Sequence, residues 1–217
     1  MRHGACALLA VILGVPSHAT AQTVMVTGGV SSTRMQPSHL ENSAVEFVSR
    51  RATTLGIRGE AAFGSYLTLI ADACWAPRGG GVSFRQTYGF FGDYVEFSGR
   101  LGWHTPGRVQ LTASSGPVIA VRVRDRTGSS LFDGPDGHDP AFGPLSAVEF
   151  GGLVTAGVKG QSGKRVVEMA EIRYLWGGSN LHQPGSSGTT HDPHVFDFRG
   201  TSRTLSVVVG LGIDLSR

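Results

Sequence analysis

The chain has 217 residues, with 19 basic and 16 acidic side chains, which suits one domain and is too even a balance to imply nucleic-acid binding. Two cysteines cannot staple a small extracellular fold, because Cys6 falls in an expected leader and leaves Cys74 as the only thiol. Beyond that leader no apolar run approaches the roughly 20 residues of a spanning helix, so a membrane location would require a closed barrel.

The leader is "MRHGACALLAVILGVPSHATA". A basic start (Arg2, His3), an apolar stretch from Ala5 to Val15 and the small residues Ala19-Thr20-Ala21 predict a secretory signal peptide over 1–21. One domain is then expected over 22–217.

Period-two alternation recurs along that domain, and 32 glycines suit strands, turns and bulges better than helices. Eight strands are predicted, at 23–31, 50–62, 65–77, 92–103, 108–122, 146–159, 164–177 and 203–215. The connections "AFGS", "HTPG" and "GQSG" are tight hairpin turns. They alternate with long polar connections at 32–49, 78–91, 123–145 and 178–202. Short turns at one end and long loops at the other is the layout of an outer-membrane barrel.

Sorting each strand by face separates two chemistries. The last strand presents Leu205, Val207, Val209, Leu211, Ile213 and Leu215 on one side, and Thr204, Ser206, Val208, Gly210, Gly212 and Asp214 on the other. Similar rows run through Leu55 and Ile57, through Leu67 to Trp75, through Val95 to Trp103, through Val148 to Val158, and through Val166 to Trp176. The opposite faces carry Arg58, Glu60, Asp72, Glu96, Arg100, Arg122, Glu149, Lys159, Glu171 and Arg173. Alternation alone does not say which face points inward. The aromatics do: Trp75, Tyr174 and Trp176 fall toward the long loops and Phe63 and Trp103 toward the short turns, all on the apolar face. Lipid interfaces favour aromatic girdles at both edges of an outward band. The ten charged residues are then expected in the lumen as a structural ion-pair network, because an unpaired buried charge is very costly. Pro117, in mid-strand on the outward face, removes a ladder donor, and a bulge is expected there.

"LTLIADACWAPRGGG", "DYVEFSGRLG", "SSGPVIAV", "FGGLVTAGVKG" followed by "AEIRYLWGGSNL", and "LSVVVGLGIDL" occur in this order over most of 23–217. In order and spacing they resemble the PorT-like outer-membrane beta-barrel family of small eight-stranded bacterial barrels, broadly akin to OmpA and OmpX barrels. The resemblance implies the outer membrane of a Gram-negative-type bacterium and usually no assigned activity. It departs at the end, where "DLSR" replaces the terminal aromatic of many such barrels.

The long loops hold His182, His191, Asp192 and His194, and Asp133, Asp136, His138 and Asp139. Imidazole beside carboxylate suits a divalent metal, but no regular geometry is imposed on these segments, so solvated loops are expected. No catalytic residues, metal or cofactor are expected. Serines in 178–190 with His182 make a poor hydrolase set, and His104 adjoins a short turn.

The expected fold is all-β, an eight-stranded antiparallel up-and-down transmembrane barrel. Its role would be structural or interaction-based, through long outward loops. Its partners would be outer-membrane lipids and a protein or surface ligand at the loops, with no nucleic acid, and the chain a monomer. Two alternatives remain: a secreted lipocalin-like barrel with an apolar ligand inside, and, further off, an outer-membrane lipid-modifying enzyme.

Overall fold

The computed structural model describes residues 21–37, 46–83, 87–125, 147–163, 165–177 and 200–216. Residues 1–20 of the expected signal peptide and the His/Asp-rich loop segments lie outside these residues, while Ala21, the last residue of that expected leader, is the first residue of β1 and pairs with Ala62. Eight strands run in chain order: β1 Ala21–Pro37, β2 Glu46–Phe63, β3 Leu67–Ser83, β4 Thr87–His104, β5 Val109–Asp125, β6 Val148–Ser162, β7 Val166–Gly177 and β8 Gly200–Asp214. Each is antiparallel to the next, and β8 closes on β1, so no sheet edge is left open.

The tight turns are made possible locally. Gly64, Gly107 and Gly163 have φ of 69°, 120° and 71°, a region that L side chains rarely adopt. All three lie at the short-turn end. At the opposite end β1, β2, β3, β4, β5 and β8 run further than their sequence suggests, while β7 ends where expected and β6 begins two residues later. β3 passes through Pro77 and the run Arg78-Gly79-Gly80-Gly81, which reads as loop by composition but pairs residue for residue with β4. Trp75 therefore lies in mid-strand rather than at a strand end.

The expected bulge at Pro117 is also corrected. Ser98 pairs with Val118 and Leu101 with Ser115, so the register crosses Pro117 without a shift. A Cβ on Gly116 would lie 2.1 Å from the Gly99 carbonyl oxygen. Gly116, with no side chain, lets β5 close against the β4 backbone beside the gap that proline leaves in the ladder. The register shift between β4 and β5 falls instead at Asp93/Tyr94, where β5 fits in Val123 as an extra residue.

Barrel geometry follows from register. The row Ala21, Ala62, Thr68, Gly102, Ser114, Thr155, Arg173, Ser206 returns to β1 at Ser31, ten residues above its start. Eight strands with that stagger tilt by about 40° and enclose a lumen just wide enough for side chains. Each residue then rises about 2.5 Å along the barrel axis, and each strand-to-strand step along a row climbs about 3 Å.

Candidate functional site

β7 shows how the wall divides. Its exposure alternates at every residue from Val166 to Gly177: Ile172, Tyr174 and Trp176 face out, Glu171, Arg173 and Leu175 face in. The same parity on the other strands collects the charged residues inside the barrel.

Their densest cluster spans five strands. Arg58 Nε donates to Asp72 Oδ1 at 2.7 Å, and its terminal nitrogens bond both oxygens of Glu171, one of them at 3.0 Å. Arg100 binds the second Asp72 oxygen, and donates to Ser114 Oγ at 2.8 Å and Thr155 Oγ1 at 3.1 Å. Ser98 adds a bond to Asp72 Oδ2 at 3.1 Å. Arg173 donates to Glu171 and approaches Asp72 at 3.7 Å. Toward the short-turn side Lys159 Nζ donates to Glu60 Oε2 at 2.8 Å, and Glu60 reaches Arg58 at 3.5 Å. Arg58 and Arg100 are 2% and 1% exposed. These carboxylates and guanidinium groups pair with one another, which is the condition for charge in a low-dielectric interior, although Arg100 Nε and Arg173 Nη2 are left without a hydrogen-bond partner.

A second cluster lies toward the long loops. Arg78 Nε donates to Glu96 Oε1 at 2.7 Å, and its Nη1 bonds Glu149, which also accepts from Ser202. The Arg78 guanidinium stands 5.6 Å from the centre of the Tyr94 ring. Between the clusters pack Val118, Leu153 and Leu175, with Cys74 buried nearby.

The ten lumen residues thus divide. Arg58, Glu60, Asp72, Arg100, Lys159, Glu171 and Arg173 form the first cluster, Glu96 and Glu149 the second, and Arg122 lies half-buried at the loop end opposite Tyr94. Sequence reasoning missed Arg78, because its strand was expected to stop at Pro77. Alternation carried past the proline would have placed it inward. His104, weighed in the sequence only as a poor catalytic candidate beside a short turn, is a buried side chain that lines both a cavity beneath the first cluster and the opening at the short-turn end.

Free space is small. Cavities of about 20 Å³ adjoin each cluster, each room for about one water. The short-turn opening is a wider pocket of about 230 Å³ lined by His104, Arg108, Gln110, Lys159, Gln161 and Asp214. Among the described residues no group of three His, Cys, Asp or Glu is placed to hold a metal ion.

Outside, Trp75, Trp103, Tyr174 and Trp176 are exposed and Phe63 is partly so. Tyr174 and Trp176 lie 6.3 Å apart between ring centres. Strand tilt brings mid-strand Trp75 to within about 3 Å of the heights of Tyr174 and Trp176. Phe63 and Trp103 lie roughly 20 Å below them. Arg58, Asp72, Arg100 and Glu171 lie about midway between the two aromatic levels.

No family model matches the chain and no curated protein matches it, so the PorT-like likeness rests on the quoted segments alone. Solved structures do match. The outer membrane protein OprG from Pseudomonas aeruginosa has a TM-score of 0.61 at 10% identity, over 91% of this chain and 97% of that one. Neisserial surface protein A has a TM-score of 0.45 at 11% identity, over 88% of this chain and 96% of that one. The OprG likeness shows the fold: an eight-stranded barrel of the outer-membrane type.

Proposed function

We propose that the chain is an outer-membrane barrel whose lumen is closed by its own ion-pair network and whose long loops, on the side away from the short turns, carry a structural or binding role. The observation that supports this most is the inversion of the wall. Apolar side chains cover the outside between two aromatic levels, while paired charges fill the inside. A soluble ligand-binding barrel has the opposite arrangement. The two aromatic levels approach the height of the apolar band of such barrels, about 25 Å. The small cavities argue against steady passage of solutes.

Fractionation of cells expressing the full chain, with gel migration before and after boiling, tests this reading. Recovery in the outer membrane with a heat-dependent mobility shift is expected, together with no steady conductance in planar bilayers. A soluble, unshifted protein would overturn it and turn the apolar row into a ligand pocket.

A further inference from the structure

The outer wall is not uniform around the barrel. On β7, β8, β1 and β2 four successive exterior rows can be followed across the strands. Two rows are apolar or small: Ala170, Val209, Gly28, Leu55, and then Ile172, Val207, Val30, Thr53. Toward the loops the next is Tyr174, Leu205, Ser32, Arg51, and the last is Trp176, Arg203, Arg34. Arg34, Arg51 and Arg203 are all exposed. Because rows climb as they cross strands, the three Cα atoms fall within about 3 Å of one height, above Trp176.

Arg34 and Arg203 are directly opposed across the β1–β8 ladder, an arrangement of like charges that destabilises a sheet. None of the three arginines forms an ion pair with a described residue. The outward carboxylate described on these strands, Glu168, stands at the opposite end of β7, beside Leu211. At about the same height on the far side of the barrel Val121, Val123 and Val148 are exposed and apolar, and Arg124 stands there as an isolated exposed arginine rather than one of a cluster. The cationic patch therefore belongs to one sector, directly above an aromatic edge.

We infer that Arg34, Arg51 and Arg203 form a docking site for the phosphate-bearing headgroup of an outer-leaflet lipid, with Trp176 at the boundary between headgroup and chains. The inference rests on the lipid-facing reading of the apolar wall. Guanidinium groups bind phosphate in paired hydrogen bonds, and a headgroup with two phosphates can bridge the opposed Arg34 and Arg203 and remove their repulsion. A free anion would match the charge but not the position, since the patch continues an apolar surface that takes the acyl chains.

The test uses the mature barrel in phosphatidylcholine nanodiscs with graded amounts of diphosphorylated lipid A, counting bound lipid by native mass spectrometry. Wild type should retain lipid A, and a variant carrying R34Q, R51Q and R203Q should bind it roughly a hundredfold more weakly. R124Q, at an exposed arginine on β5, should bind as wild type does. Lipid A stripped of phosphate should not be retained. Equal retention by wild type and the triple variant, loss in R124Q, or complete displacement by millimolar inorganic phosphate would each overturn the site. All proteins are first scored for heat-dependent migration in phosphatidylcholine alone. A wild type that folds there without retaining lipid A refutes the headgroup site only. A wild type that never folds refutes the membrane reading beneath it.

Discussion

Val208 and Val209 are the same side chain one residue apart on β8, yet the first is 2% exposed and the second 58%. The inner valine packs with Met25, Val167 and Met169 below the polar ladder of Ser202, Thr204 and Ser206. The outer one continues an apolar row that no other part of the described chain covers. Hydrophobicity therefore does not decide which side of this barrel a residue occupies; parity does, and charge shows which parity faces in. The inner wall is held by specific pairings between side chains; on the proposed reading the outer wall meets a solvent that is itself apolar. The two walls should respond differently to the same kind of change.

The inner wall should be the more fragile. Arg58→Leu would leave Asp72, Glu171 and Glu60 without their shared cation, and removal of one partner from a buried pair costs about 3–5 kcal/mol. Urea unfolding in vesicles, followed by tryptophan fluorescence, measures this loss. A variant as stable as wild type would mean that water reaches the network freely.

Next comes Val209→Arg, on the outer wall at about the mid-height of the aromatic levels. In lipid it should cost about 2–4 kcal/mol by the same measurement. If the apolar wall faced water, the change would be nearly neutral.

A smaller effect is expected in the wall itself. Gly116→Ala would press a methyl group against backbone of the neighbouring strand, Gly99 O at 2.1 Å and Arg100 Cα at 2.8 Å. Neither can move as a side chain could, and a loss of about 1–3 kcal/mol is expected. Smallest is Thr33→Val, which keeps the shape and removes the 3.0 Å hydroxyl bond to Thr204, for a loss of about 1 kcal/mol.

Much of the architecture was legible because a barrel wall has a strict period of two. The alternation from Val166 to Trp176 in β7 and from Thr204 to Ile213 in β8 assigns those residues to the side on which the structure places them. The long-short rhythm of connections orders the strands without reference to their partners. What was not legible depends on partners distant in sequence. Arg58 meets Glu171 across the lumen, 113 residues away, and nothing in either strand alone joins them. The extension of β3 was hidden because Pro77 and three glycines read as a loop, whereas pairing with β4 makes them strand. That extension is why Arg78 went unnoticed and Trp75 was expected at an end. Pro117 misled in the opposite sense: a lost donor suggested a bulge, but the register holds and Gly116 lets the strands close.

The central claim is that the apolar parity faces lipid and the charged parity faces the lumen. Single cysteines placed along β8 from Leu205 to Ile213, with Cys74 replaced by alanine, can be spin-labelled in the barrel folded in vesicles. Collision with oxygen, which concentrates in the bilayer, should then alternate at every residue, high at 205, 207, 209, 211 and 213 and low between them. High oxygen access at 206, 208, 210 and 212 instead, or no alternation at all, would contradict the account.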